Sequence, residues 1–358
     1  MRDLEQLRQQ IDALDDEIVA KLERRAELVL EVKKAKQKDN IDVYSPARER
    51  QILDRIAKLA AGGPFPAQPL ERIFINIISA TRSLIGELAV SYVGPQGSLG
   101  GEAAIKQFGE AIDHVPAGSL EEVFAKVERG DAQYGVVPAR TSATGLVTKT
   151  FDLLMQSNLV IIAEIEVKER LCLYTRGSGL GEVQRIFSDV HSFARAEEWL
   201  KSNVPAAERV VESSLSGALR KLDKHPESAL LWLESLSGRH DLHPVASGIE
   251  GDLGAETRFV VLGSKSPSST GKDKTSLLCS VPERAGALRE ILQPFSVRGV
   301  TLLRIESRSM RNRAWEYVFF IDVAGHEEDP KIGDAIRDLR NLSSYLKVLG
   351  SYPMVCQS

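Results

Sequence analysis

Leu4, Leu7, Ile11, Leu14, Ile18 and Leu22 recur at steps of three and four, and neither Gly nor Pro interrupts the chain from Met1 to Asn40. That period predicts one long amphipathic helix. About thirty-five residues at 1.5 Å each reach roughly 50 Å, more than a domain of about ninety residues can cover with its own remaining chain. A partner helix is implied. Ser45-Pro46 has the form of an N-cap and first-turn pair, opening a second helix to about Ala61 that Gly62-Gly63-Pro64 breaks. A third helix is expected from about Pro69 to Ile85.

From Leu88 the pattern changes. Ala89 to Val93 is strand-like, and Gly94-Pro95-Gln96-Gly97-Ser98-Leu99-Gly100-Gly101 leads into a helix from Glu102 to Phe108. Helix-like and strand-like segments then alternate through Ser119–Glu128, Tyr134–Val137, Leu146–Met155, Leu159–Val167, Leu171–Thr175, Arg195–Lys201 and Glu227–Leu233. Such alternation predicts an α/β fold whose sheet is at least partly parallel. Within it, the run Gly135-Val136-Val137 stops at Pro138, and a hydroxyl-rich stretch from Ala139 to Gly145 precedes the next helix. Read as strand, loop and helix, this stretch would offer an anion the Arg140 guanidinium, three hydroxyls and free helix N–H groups; a plain connector has the same pattern. Ser264 to Lys274, rich in Ser, Lys, Gly and Pro, reads as a linker. Beyond it, Leu277–Val281, Gly286–Val297, Thr301–Ser307, Tyr317–Val323, Asp329–Leu339 and Tyr345–Leu349 follow the βαββαβ order of a ferredoxin-like fold.

A length of 358 residues allows two or three domains. A net charge of -4 gives no global basic field, which argues against nucleic acid as a partner and in favour of small metabolites. Cys172, Cys279 and Cys356 are too few and too far apart for a disulfide framework or a zinc knuckle, pointing to a reducing compartment. His240-x-x-His243 lacks a nearby third ligand and reads as surface loop, so no metal is expected. The Gly94–Gly101 stretch has neither the dinucleotide spacing nor a terminal Gly-Lys-Ser/Thr, so no cofactor is implied. No 18-residue apolar run and no signal h-region are present. A cytoplasmic protein without a membrane partner is expected.

Arg25 and Lys36 lie about three turns apart on one face of the first helix, Arg8 about a quarter turn away, and Arg48 and Glu49 in the first turn of the second. By periodicity alone this reads as a solvated charged face of a coiled coil. However, Leu7-Arg8-x-x-Ile11-Asp12-x-Leu14-Asp15, Arg24-Arg25, Val32-Lys33-x-Ala35-Lys36 and Val43-Tyr44-x-Pro46-x-Arg48-Glu49 resemble the all-helical chorismate mutase family over nearly all of residues 1–88. The resemblance implies an intertwined dimer in which Arg8 reaches into the partner's site. It also implies that Arg8, Arg25 and Arg48 clamp the two carboxylates of chorismate, Lys36 faces its ether oxygen, Glu49 holds a ring hydroxyl and Thr81 takes the family's Ser position. A Claisen rearrangement needs only a folded substrate and donors where negative charge grows. Ile85 stands where the family has Gln or Glu, and losing one such donor costs on the order of 3 kcal/mol. A match shifted to Glu87 would restore a carboxylate.

In residues 89–263, Gly94-Pro95-x-Gly97-Ser98, Gly135-Val136-Val137-Pro138, Ser142 and Thr257-Arg258-Phe259 resemble the prephenate dehydratase domain. That family has a two-lobed α/β fold related to periplasmic binding proteins, with the ligand between the lobes. The resemblance implies Thr257 as the central catalytic hydroxyl, with Ser142, Ser98, Arg258 and Phe259 around the substrate. Arg140-Thr141 replaces the family's Glu-Asn, His191 its Gln, and Ala255 its Asn. Arg140, Thr141 and His191 are therefore expected at altered substrate-binding positions, favouring a more anionic ligand or a different proton inventory. Bland readings leave Arg140 in solvent and His191 at a loop cap.

After the 264–274 linker, Gly286-Ala287-Leu288 and Glu306-Ser307-Arg308 resemble the two signature motifs of the ACT regulatory domain, over residues 275–358. By resemblance these six residues would bind phenylalanine between two chains, its carboxylate on the helix start at Gly286 and its ammonium near Glu306. Ala285 and Ser309 replace two family prolines. The three likenesses together imply a homodimer or higher oligomer that turns chorismate into prephenate and prephenate into phenylpyruvate under phenylalanine feedback. The altered positions leave two other readings: a phenylalanine-responsive regulatory protein with impaired sites, or a dehydratase-fold enzyme for a related acid.

Overall fold

A computed structural model of the chain describes residues 4–39, 44–142, 145–177, 179–236, 240–251, 255–282, 284–309 and 316–354. It divides into two compact units, Met1–Ala89 with Ile105–Asp113, and Val90–Ala104 with His114–Ser358.

The first unit is built on α1 (Leu4–Asp39), α2 (Pro46–Ala60) and α3 (Ala67–Ser83). Ser45 caps α2, its hydroxyl accepting from the Arg48 N–H at 3.3 Å. Tyr44, Ile56 and Ile78 are buried between the shorter helices. Gln107 donates to the Tyr44 hydroxyl at 2.9 Å, and Phe108 packs against its ring at 5.1 Å. Most of α1 finds no such cover: Leu4 is 61%, Ile11 56%, Leu14 57% and Ile18 56% exposed. Its apolar stripe extends about 50 Å, past what two short helices can cover.

After α3 the chain runs β1 (Ala89–Val93), α4 (Leu99–Phe108), β2 (Asp113–Ala117), α5 (Leu120–Arg129), β3 (Tyr134–Thr141), β4 (Gly145–Leu146), α6 (Thr148–Gln156) and β5 (Val160–Glu169), with Ile105–Asp113 counted in the first unit and the rest from Val90 in the second. There follow β6 (Leu171–Thr175), β7 (Arg185–Ser188), α7 (Val190–Arg195), α8 (Glu197–Asn203), β8 (Glu208–Val211), α9 (Leu215–Leu222), β9 (Ser228–Leu233), β10 (His243–Ser247) and β11 (Ala255–Gly263). Among the described residues these strands form two sheets, β2-β1-β3-β11-β5 with β4 beside β3, and β10-β6-β9-β7-β8. Parallel pairs occur in both, β1 with β3 and β7 with β8 and β9. The second sheet buries both faces, as doubly covered α/β sheets do. Leu171 and Leu173 pack with Phe193 and Leu200 on one side, Cys172 and Tyr174 with Leu215 and Leu222 on the other.

The strand expected to stop at Pro138 does not. It runs to Thr141, because Pro138 sits where the β1 ladder has ended and its missing N–H leaves no ladder bond unmade. The ladder to β11 slips one residue beside it. Arg140 and Thr141 are thus strand residues whose side chains must point to opposite faces.

The third segment is β12 (Asp273–Pro282), α10 (Ala287–Ser296), β13 (Leu302–Ser309), β14 (Glu316–Ala324), α11 (Pro330–Leu342) and β15 (Tyr345–Pro353), in one antiparallel sheet ordered β13-β14-β12-β15. Both helices cover one face, closing a core around Leu277, Cys279, Ile291, Phe295, Ile321 and Leu339. The stretch before β12 is tied down: the Asp273 carboxylate, 2% exposed, accepts from the N–H groups of Thr270 at 2.7 Å and Gly271 at 3.0 Å. The sheet's other face meets the middle segment. Phe320 stacks edge-on against Phe151 at 4.6 Å, and the Lys274 ammonium lies 2.7 Å from the Glu164 carboxylate. At Gly350 the strands β15 and β5 approach so closely that a Cβ would run into the carbonyl of Ile161, and its φ of +150° suits glycine alone.

Gly350→Ala should therefore destabilise the second unit by about 1–3 kcal/mol, read as a lowered thermal midpoint. Cys172 and Cys279 are free and buried, and burial pushes the Cys279 thiol up to about 12. Almost no thiolate forms at pH 8, so iodoacetamide should label neither cysteine in native protein and both after unfolding, as mass spectrometry would report.

Candidate active sites

The middle segment gathers its hydroxyls at one sheet edge. Parallel β1 and β3 end there at Val93 and Thr141, β5 ends there at Glu169, and antiparallel β11 begins there. Ligands of open α/β sheets bind outside such carboxyl ends. Thr257 faces Thr141 across the β11–β3 ladder and Val167 across the β11–β5 ladder. Its hydroxyl, 2% exposed, donates to Glu169 Oε1 at 2.5 Å, a diagonal cross-strand pair. Arg195 on α7 holds the other carboxylate oxygen and donates to the Glu169 carbonyl at 2.8 Å. Ser142 clamps the same edge: its N–H donates to Glu256 O at 2.8 Å, and its hydroxyl accepts from Glu256 N–H at 3.0 Å. Ser98, ahead of α4, accepts from Gly101 N–H at 3.3 Å. Glu169 and Leu171 end and begin strands of different sheets, so Thr257, Glu169 and Arg195 stand where the chain crosses between lobes. The lobes also touch at Trp232, whose indole N–H donates to Gly97 O at 3.0 Å.

The alternate residues of the same strands face away. Arg258 pairs with Glu166 directly opposite and reaches Glu164 at 3.3 Å. Burial disfavours its charge, but the two carboxylates outweigh that and raise its pKa. Arg140, opposite Arg258 on β3, shares that face and lies 3.8 Å from Glu306 of β13. Strand alternation thus sends both Arg140 and Arg258, expected around the substrate, toward the third segment. Thr141 takes the Thr257 side. Phe259 is buried in the sheet. His191 lies exposed in the first turn of α7, its N–H donating to the Asp189 cap at 2.8 Å and its position one turn before Arg195.

In the first unit the Arg25 guanidinium, half-buried, donates to the Thr81 hydroxyl and, at 3.5 Å, to Ile77 O. Burial lowers its pKa and Glu49 partly restores it. Glu49 of α2 is held from α3. It pairs with Arg82 of α3, whose side chain is 5% exposed and whose guanidinium lies 4.8 Å over the Tyr44 ring. Burial raises the Glu49 pKa against the pull of Arg82 and Arg25. Arg48 is exposed and donates to Gln51 at 3.3 Å. Arg8 is exposed on α1, and the Lys36 side chain lies outside the described residues. Ile85 follows α3 in a half-buried turn, its N–H donating to Arg82 O at 2.9 Å.

The two motifs of the third segment separate. Gly286 caps α10 with φ +86°, Ala287 is buried and Leu288 44% exposed, on the helix-bearing side. Ile305 packs toward that side and Ser307 alternates with Glu306, but Glu306 meets Arg140 and Arg308 meets Asp152 of α6. A single pocket built from all six residues of one chain is not what the sheet provides.

Family models for chorismate mutase type II, prephenate dehydratase and the ACT domain match residues 7–85, 90–267 and 275–341. A bifunctional chorismate mutase/prephenate dehydratase of Aquifex aeolicus is 34% identical over 99% of this chain and 98% of its own. One of Pseudomonas aeruginosa is 35% identical over 98% and 97%. The chain belongs to the bifunctional chorismate mutase/prephenate dehydratase family. Among solved structures, a prephenate dehydratase of Arthrobacter aurescens in complex with L-Phe superposes with a TM-score of 0.64 at 32% identity, over 75% of this chain and 90% of that one.

Three residues of this bifunctional chain escape sequence reading, Arg82, Glu169 and Arg195. Each is a charge on the face that its element buries, the one signal that could have found them. Breaking a buried pair from one side typically costs about 3–5 kcal/mol. Arg82→Leu should therefore cut hydrogen-exchange protection of α2 and α3 by about a hundredfold or more, and Arg82→Leu with Glu49→Gln should recover part of it.

Proposed function

We propose that the chain is a two-activity enzyme of phenylalanine biosynthesis, converting chorismate to prephenate in the helical unit and prephenate to phenylpyruvate at the Thr257 edge, with phenylalanine as effector of the C-terminal segment. What carries the reading is the order of three family matches on one chain, together with relatives of that double name over nearly its full length. The geometry supports each part. Arg25 beside Thr81 offers a cation to a carboxylate and Glu49 an acceptor to a hydroxyl. The bare stripe of α1 fits a second copy of this chain, and the exposed Arg8 would then serve the partner's site, with Lys36 and Arg48 completing the clamp.

At the Thr257 edge the substrate gives up its ring carboxylate as carbon dioxide. The electron pair of that C–C bond enters the ring, and the ring hydroxyl leaves with one added proton as water. Ser142, Ser98 and Thr141 supply hydroxyls for substrate, and phenylalanine binds by the α10 start at Gly286, Ala287 and Leu288. Glu306 connects that effector segment to Arg140 of β3 and Arg308 connects it to Asp152 of α6, with Ser307 between them on the other face of β13.

A second reading, in which the helical unit binds chorismate but rearranges it slowly, is favoured by the apolar Ile85 and by Arg82 holding Glu49. Product analysis with purified protein separates the two. Chorismate and, separately, prephenate should each be consumed and yield phenylpyruvate, more slowly when phenylalanine is added; neither consumed above its spontaneous rate would sink the enzyme reading. Ile85→Gln should raise the mutase rate, by up to about a hundredfold, and an unchanged or lower rate would show that Ile85 does not face the ether oxygen.

A further inference from the structure

Dehydration at Thr257 consumes one proton per turnover, and a threonine hydroxyl is too weak an acid to supply it alone. The loop that would bring a carboxylate by resemblance carries Arg140 instead, and Arg140 faces the third segment. Glu169 is the titratable group hydrogen-bonded to the Thr257 hydroxyl. We propose that Glu169, locked by Arg195, is the proton reservoir of the dehydratase site and acts through Thr257. The inference rests on the dehydratase reading of this edge.

The step balances as follows. Glu169 takes a proton from solvent and donates it to the Thr257 oxygen, while Thr257 passes its own hydrogen to the departing hydroxyl. The C–O bond breaks as the carboxylate carbon leaves as carbon dioxide, and Glu169 is left ionised with Thr257 donating to it. The contact that the relay needs is in the structure: Thr257 Oγ1 donates to Glu169 Oε1 at 2.5 Å. The Arg195 guanidinium stabilises the carboxylate that proton donation creates, so the pair favours transfer toward substrate. Double anchoring of Glu169, at its carboxylate and at its carbonyl, removes rotamer freedom from the relay.

Next to Glu169 along the chain, Arg170 pairs with Glu234, and Glu250 accepts from the Leu171 N–H at 2.8 Å. Arg195 comes from α7, with His191 one turn before it on the same helix face. Lys168 and Glu166 on β5, and Glu256 and Arg258 on β11, alternate to the opposite side. Glu169, bonded to Thr257, and His191, one turn before Arg195, are the two side chains whose replacement the test compares.

The test is the pH dependence of prephenate turnover by the full chain and by Glu169→Gln, Glu169→Asp and His191→Gln, with folding checked by circular dichroism. In wild type, kcat should fall as pH rises, because the reservoir must be protonated to donate. Glu169→Gln should lower kcat by about a hundredfold or more with KM little changed, and abolish the alkaline limb; Glu169→Asp should regain part of the rate and the limb. His191→Gln should keep the limb. If Glu169→Gln keeps the wild-type kcat, or loses rate while the limb persists, or if the limb disappears in His191→Gln instead, the relay is wrong while the dehydratase reading stands. A misfolded Glu169→Gln leaves the decision to Glu169→Asp, whose limb must shift if the relay is right. Wild-type protein that leaves prephenate unconverted overturns both.

Discussion

Glu164 carries two cations at once, with Arg258 at 3.3 Å on one oxygen and Lys274 at 2.7 Å on the other. Glu164 and Lys274 are 6% and 7% exposed, so neither charge has water to fall back on, and removing any member strands the rest in a low dielectric. This cluster fixes β11 and β5 against β12 at one depth and one register. Because side chains alternate along a strand, fixing Arg258 outward also fixes Thr257 inward. One-residue slippage would exchange the cleft residue for the docking residue. The placement of the Thr257 hydroxyl is in this sense set from behind, by an ion cluster on the other face of its own strand.

The same alternation explains why the regulatory-like segment touches the site without entering it. Arg140 and Thr141 are neighbours in the chain, yet one reaches Glu306 and the other sits across from Thr257. Arg308 with Asp152 and Phe320 with Phe151 extend that contact along α6. The close approach at Gly350 leaves no slack between β15 and β5. A change of shape at β13 would reach β3 through the Arg140–Glu306 pair rather than through a free linker, since Asp273 holds the preceding residues in place.

The helical unit obeys a different constraint. Its two short helices bury Thr81 and Arg82 on one face of α3, and each meets a charged partner from another helix, Arg25 and Glu49. The cost of burying Arg82 is offset by Glu49 and by the Tyr44 and Phe108 rings beneath its guanidinium. Along α1 the sequence was legible to within a few residues, as was the Ser45-Pro46 start of α2, because caps and period 3.6 are local signals. Within the third segment all six elements were legible for the same reason. The end of β3 was not, since whether a proline terminates a strand depends on which neighbour would have used its N–H. Nor was Glu169 as a site residue: Ile165 and Val167 alternate with Glu164, Glu166 and Lys168, and Glu169 breaks that alternation by placing a carboxylate on the apolar side.

By itself the sequence determined the three helices of the first segment, the six elements of the third, part of the alternation between them, the three-part order of the chain and the residue types that any site could draw on. Those follow from periodicity, caps and motifs, which act over a few residues. Tertiary structure decided which of those residues meet: Thr257 with Glu169 and Arg195, Glu49 with Arg82, Arg140 with Glu306. These pairs are from 26 to 166 positions apart along the chain, and only sheet register and helix packing bring them within reach. Register also decides which of two adjacent side chains enters the cleft, and it is set by partners that the local sequence does not contain.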